Sequence, residues 1–259
     1  MSLSVDLASE IKGEEGPDVI LLHGLLGAGD SLGGIRRRLA TSFRIHCLDL
    51  RNHGDSPHTE SMSYPGMAGD VLAYMDAAGL EQTSVLGHSM GGKVAMEMAL
   101  QAPARVSRLI VADIAPVTYE PHHDNIQEAL RTFEPGRVGS RRDADAELAA
   151  FIPERGVRQF LLTNLVPVEG GFRWRMNVTG ILACYDQIMA GPATGGIYEG
   201  PTLFIRGGES DYIHTDHRDA VQRYFPNAQL KVIPDAGHWL HAEKPELFAR
   251  LCRRFLETR

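Results

Sequence analysis

In the first half of this 259-residue chain, the hydrophobic positions gather into short unbroken runs. Asp18–Leu22, Arg44–Leu48, residues 82–86 and Val106–Ala112 each read as a strand buried on both faces, the pattern a parallel sheet imposes. Helical spacing fills the intervals, near residues 31–39, 64–78 and 93–102. In the second of these, Met67, Val71, Met75 and Ala78 recur on one face, and Gly79 is a stop signal. Residues 3–11 alternate weakly, as an edge strand does. Strands alternating with helices predict a parallel sheet with helices on both faces and right-handed crossovers.

At Pro116 the rhythm changes. Between there and Ile197 no strand is expected. Residues 125–133, 144–151 and 156–165 read as helices, and Val178, Ile181, Leu182, Tyr185, Ile188 and Met189 share a helical face behind Asn177 as N-cap. The segment 116–197 is therefore expected to be an inserted helical cap, with residues 1–115 and 198–259 as the core. The run Gly191-Pro192-Ala193-Thr194-Gly195-Gly196 reads as a hinge-like exit. Strand patterns return at 201–205 and 229–233, with helices at 216–224 and 245–257.

The composition is that of an ordinary globular chain, 43% hydrophobic and 23% charged. A net charge of −7 argues against phosphate-backbone binding, so no nucleic-acid partner is expected. There is no apolar run long enough to span a membrane, and residues 1–10 lack a charged-then-apolar leader pattern. Cys47, Cys184 and Cys252 form no C-x-x-C pair and read as buried reduced thiols, which fits a cytoplasmic location. The oligomeric state stays open.

The chemistry concentrates at the carboxyl ends of the strands, where such sheets bind ligands. Gly87-His88-Ser89-Met90-Gly91 is a G-x-S-x-G turn between a strand and a helix. Flanking glycines relieve crowding at a strained turn that holds the Ser89 hydroxyl out, and the next helix aims its free N–H groups at the same spot. A hydroxyl needs a base, and His238, just past the last strand, is the candidate. Imidazole needs a carboxylate to fix its tautomer, and two qualify: Asp113 after one strand and Asp211 after another. Backbone N–H groups of Leu25 and Met90 are the expected oxyanion donors. His88 is expected to order the turn. The pairs His122-His123 and His214 with His217 lack a matched acid or cysteine set and read as solvent-facing loops, so no metal and no cofactor is expected.

With His23-Gly24, the turn at Ser89 and Gly237-His238 in place, the chain resembles the α/β-hydrolases over nearly its whole length. It is more closely similar to the small YbfF-type bacterial esterases. That likeness is carried by residues 49–56, by His88-Ser89-Met90-Gly91-Gly92-Lys93, by Asp113-Ile114-Ala115-Pro116 and by residues 237–245, and in the cap by Leu161-Leu162-Thr163-Asn164-Leu165 and Phe172-Arg173-Trp174-Arg175. The resemblance implies an α/β-hydrolase fold with an inserted helical cap and a Ser-His-Asp triad. Asp211 corresponds to the usual acid position of the superfamily, whereas YbfF-type esterases lack a carboxylate there and use the one corresponding to Asp113. This chain has both, and we prefer Asp113 because Gly207-Gly208 displaces the Asp211 turn.

The expected activity is hydrolysis of small-molecule carboxylic esters or thioesters with small to medium acyl groups. Carbon–carbon bond hydrolysis, perhydrolysis, acyl transfer and low-turnover ligand reception are the alternatives on the same scaffold. Expected substrate contacts are His23, His88, Trp174 and Trp239. Phe172, Trp174 and Met176 alternate with Arg173 and Arg175, so an apolar side of the cap is expected to set acyl-chain preference.

Overall fold

The computed structural model describes residues 4–258. Its strands and helices in chain order are β1 (Ser9–Lys12), β2 (Asp18–Leu22), α1 (Gly33–Leu39), β3 (Arg44–Leu48), α2 (Tyr64–Ala77), β4 (Thr83–His88), α3 (Met90–Gln101) and β5 (Val106–Ala112). The inserted segment carries α4 (Asp124–Thr132), α5 (Arg141–Leu148), α6 (Arg155–Leu162), β6 (Leu165–Val168), β7 (Gly171–Trp174), α7 (Val178–Ala183) and α8 (Tyr185–Met189). The chain closes with β8 (Thr202–Gly207), α9 (Arg218–Tyr224), β9 (Ala228–Ile233), α10 (Leu240–Glu243) and α11 (Pro245–Leu256).

The sheet has seven strands in the order β1-β3-β2-β4-β5-β8-β9. Every pairing is parallel except that of β1 with β3. The edge strand β1 is shorter than the alternation suggested, and Leu3 lies outside the described residues. Val19, Ile20, Leu21 and Leu22 are fully buried because helices cover both faces, which is why β2 reads as an unbroken apolar run. Odd and even positions of β2 then feed two separate cores. Ile20 and Leu22 join the larger one with α2 and α3, while Val19 and Leu21 join Ile35, Leu39, Phe248 and Cys252 on the opposite face. All three cysteines are free and buried.

The inserted segment departs from the expectation of helices alone. β6 and β7 form a two-stranded antiparallel hairpin, with Leu165 opposite Trp174 and Val168 opposite Gly171. Four-residue strands with Pro167 inside one of them carry too little periodicity to stand out. The turn is made by Gly170, whose φ of 83° suits glycine. Asn177 does cap α7, its side-chain oxygen accepting from the Gly180 N–H at 3.1 Å. Ser63 caps α2 in the same way.

What positions the site is the turn from β4 into α3. Ser89 sits there at φ 52°, ψ −120°, a region that non-glycine residues rarely occupy. The flanking glycines are required by close backbone approach. A Cβ on Gly91 would stand 2.4 Å from the Leu22 carbonyl oxygen and 2.5 Å from that of His23, and one on Gly87 would stand 2.1 Å from the Gly91 oxygen. None of these backbone atoms has a flexible end that could give way. Gly91→Ala is therefore expected to cost about 3 kcal/mol or more. Denaturant melts of the variant check this, and a loss under about 0.5 kcal/mol would show that the turn has slack.

Candidate active site

The strands deliver four loops to one edge of the sheet. Ser89 follows β4, Asp113 follows β5, His238 follows β9, and the His23–Ala28 turn follows β2. His238 Nδ1 donates to Asp113 Oδ2 at 2.8 Å, which leaves Nε2 to accept from the Ser89 hydroxyl at 3.0 Å. Asp113 is fully buried, and the His238 side chain is 22% exposed. A buried carboxylate is costly unless its lone pairs are met. Here the Gly207 N–H donates to Oδ1 at 2.9 Å, and the Ser210 hydroxyl donates to Oδ2 alongside His238.

Asp211 is not part of this chain of bonds; its side chain faces solvent. Its neighbour Ser210 turns inward instead and serves Asp113. Gly207 makes the arrangement possible, since a Cβ there would lie 2.3 Å from the Gly237 carbonyl oxygen. The two loops close on each other only because that position has no side chain. The geometry thus brings Asp113, and not Asp211, to His238.

A second layer holds His238 in place. The Tyr212 ring stacks on the imidazole with centroids 4.0 Å apart and planes 24° from parallel. His88 Nε2 donates to the His238 carbonyl at 2.9 Å. Burial holds the His88 pKa well below its ordinary value, so the ring stays neutral, and the bond to the carbonyl puts its one proton on Nε2. His241 packs against His88 with centroids 4.4 Å apart. Ser210, Tyr212 and His241 escaped the sequence reading, because a serine, a tyrosine and a histidine near loop aspartates carry no distinguishing signal.

His23 lies away from the cavities. It is fully buried, its Nδ1 donating to the Gly24 carbonyl at 2.8 Å and its Nε2 accepting from the Leu50 N–H at 2.9 Å. His53 works in the same way, donating to the Arg51 carbonyl and accepting from the Leu26 N–H. Together the two rings fasten the turn that carries Leu25 to the loop after β3. Asp49 adds to this, its carboxylate accepting from the Gly29 and Asp55 N–H groups. Arg51 and Asp70, both fully buried, make a bidentate pair beneath that loop.

Ser89 opens on a cavity of about 90 Å³. Leu25, His88, Tyr212, His238, Trp239 and His241 line it from the core, and Ile126, Leu130, Val157, Phe160, Ile181 and Leu182 from the inserted segment. Leu25 and Met90 border a smaller adjoining lobe. Trp239 stands at the cavity wall, its ring 5.9 Å from that of Phe160. Trp174 does not reach the cavity. The hairpin turns it onto Phe133, with ring centroids 5.5 Å apart. His123, expected in a solvent-facing loop, instead lines both lobes and bonds Tyr185 and Tyr212.

A family model described as the alpha/beta hydrolase family matches residues 19–251, and the chain belongs to that family. Its relatives include the sn-1-specific diacylglycerol lipase ABHD11 of Mus musculus, 41% identical over 248 residues that cover 93% of this chain and 81% of that protein. Esterase YbfF of Escherichia coli (strain K12) is 39% identical over 239 residues, covering 92% of each. A solved structure titled marine microorganism esterase superposes with a TM-score of 0.95 at 38% identity, covering 98% of this chain and 100% of that one.

Two expectations come from this site. Burial lowers His23 to about 4, His53 to about 3 and His241 to about 4, whereas the unfolded chain titrates near the ordinary value of 6.5. Below 6.5 the unfolded state binds protons that the folded state refuses, so stability is full above that value and declines as pH falls toward 4. Melting temperatures measured across that window should drop steadily; a flat profile would mean that these rings are charged in the fold. Trp174→Ala should cost about 1–3 kcal/mol through lost packing on Phe133. It should leave the ratio of short-chain to long-chain ester cleavage unchanged, and a shifted ratio would place Trp174 in contact with substrate.

Proposed function

We propose that this chain is a serine hydrolase cleaving carboxylic esters or thioesters through an acyl-enzyme, with Ser89, His238 and Asp113 as its triad. The observation that carries the reading is the unbroken chain of bonds from Asp113 through His238 to Ser89, at 2.8 and 3.0 Å, opening on an apolar cavity. Kinship to proteins named esterase and diacylglycerol lipase supports it.

In this mechanism the Ser89 oxygen attacks the ester carbonyl while His238 Nε2 takes its proton. The negative charge that develops on the carbonyl oxygen is met by the Leu25 and Met90 N–H groups, which need no reorganisation. As the tetrahedral intermediate collapses, the bond to the alcohol oxygen breaks and the imidazolium returns its proton to that oxygen. Water then repeats the sequence, releasing the acid and restoring Ser89. Asp113 keeps the imidazole in the productive tautomer and stabilises its charged form. No step requires a metal or cofactor. The inserted segment acts as a cap over the apolar cavity and shapes which substrate arm fits. Three buried free thiols suit a cytoplasmic setting.

A fluorophosphonate should add once to the protein at neutral pH, and Ser89→Ala should abolish both that adduct and the hydrolysis of p-nitrophenyl esters, by roughly 10⁴-fold or more. An adduct that survives Ser89→Ala, seen by intact mass, would contradict the reading.

A further inference from the structure

The space beside Ser89 has two lobes, and their chemistry differs. The larger, of about 90 Å³, is walled by aliphatic and aromatic side chains of the inserted segment. The smaller, of about 30 Å³, is bordered by Met90, Tyr64, Tyr119, Met189 and Lys93. Leu25, Ser89, His123 and Tyr212 border both. His238 borders only the larger lobe, and Met90 only the smaller.

That asymmetry assigns the two arms of an ester. The proton that Ser89 loses must reach the leaving oxygen from His238 Nε2. The alcohol arm therefore lies where His238 is exposed to the cavity, in the large apolar lobe. The acyl arm leaves the carbonyl carbon on the other side, toward Met90 and the small lobe.

Lys93 is the second observation. It is 3% exposed, yet among the described residues no carboxylate pairs with it. Its ammonium donates to the carbonyls of Met189 and Ala190 at 2.9 and 2.5 Å, and stands over the rings of Tyr119 and Tyr64 at 4.7 and 5.5 Å. Glu97, one turn further along α3, is turned away and accepts from Gln101, Ala193 and Thr194. In its charged form the amine has three donors, and these carbonyls take two of them. Lys93 makes no bond to the neighbouring hydroxyls among the described residues: it stands over the Tyr64 and Tyr119 rings, and those hydroxyls donate to the Ile188 and Tyr212 carbonyls. Burial pulls the Lys93 amine down from its ordinary value to about 7, and a carboxylate at the open donor would favour its charged form. The Lys93 N–H bonds the Ser89 carbonyl at 3.1 Å, which places Lys93 one helical turn from the nucleophile. Ser89 and Lys93 both border the small lobe, so an acyl group held there lies between the nucleophile and the amine.

We propose that the small lobe is the acyl subsite, that it takes short acyl groups ending in an oxygen acceptor, and that Lys93 recognises this acceptor. The inference rests on the ester-hydrolase reading. It reverses the expectation that the cap sets acyl-chain preference: the cap-lined lobe reads the alcohol.

The test uses the full chain and two ester series, one varying the acyl group with benzyl alcohol fixed, the other varying the alcohol with acetate fixed. Wild type should lose kcat/KM steeply for acyl chains longer than pentanoyl while tolerating longer alcohols. Benzyl hydrogen succinate and benzyl levulinate should exceed benzyl pentanoate by roughly tenfold. A higher rate for the succinate than for the levulinate identifies a carboxylate as the preferred acceptor, and equal rates identify any acceptor oxygen. In Lys93→Met the preference over pentanoate should vanish. The wild-type series stands even if that variant folds poorly. Long acyl groups accepted with long alcohols refused would reverse the lobes and overturn the proposal, as would an acceptor preference that persists in folded Lys93→Met. Both of those outcomes leave ester hydrolysis itself intact, whereas a wild type inert toward every ester overturns the underlying reading and this one with it.

Discussion

The whole site depends on how little room the chain leaves between β4 and α3. Gly87 and Gly91 let backbone meet backbone there, and Ser89 is held at a positive φ as a result. The strain is sustained because β4 is fully buried between β2 and β5 and α3 is buried along nearly its whole length. The surrounding core over-determines the turn, so its cost is spread across many contacts. From that fixed point the hydroxyl has one direction available, and the other loops are arranged around it.

The carboxylate shows how the sheet distributes its work. The loop after β8 carries an aspartate, yet that aspartate faces solvent, and the same loop contributes Ser210 and Tyr212 to hold Asp113 and His238. Asp113 itself adopts φ 55°, and its N–H is tied to the Ile205 carbonyl at 2.8 Å. Acid and buttress therefore come from adjacent parallel strands, β5 and β8, whose register fixes their separation. Gly207 completes this by letting the His238 loop rest against the end of β8.

Much of this was legible in the sequence. Buried parallel strands announce themselves as unbroken apolar runs, and Ser89 and His238 stand in loops whose order along the chain is diagnostic. The choice between Asp113 and Asp211 was harder, because each follows a strand and either loop could reach the histidine; only the packing at Gly207 separates them. The hairpin of β6 and β7 was hidden because its strands are too short to show a period, although the alternation of Phe172 and Trp174 was visible. Trp174 itself misled, since an aromatic on an apolar edge looks the same whether it faces substrate or, as here, Phe133. His23 looked like a substrate contact for a similar reason: its place beside the oxyanion turn is evident, while its two backbone bonds are not.

The most direct measurement is turnover of Asp113→Asn beside Asp211→Asn on one activated ester. Asparagine preserves size, so the loss reports on the imidazole tautomer and its charged form. With Asp113 as the partner of His238, Asp113→Asn should lower kcat by roughly 10³–10⁴-fold with a smaller change in KM, and Asp211→Asn should stay within about threefold of wild type. The opposite pattern, with Asp211→Asn inactive and Asp113→Asn near wild type, would contradict the assignment and return the acid to the loop after β8.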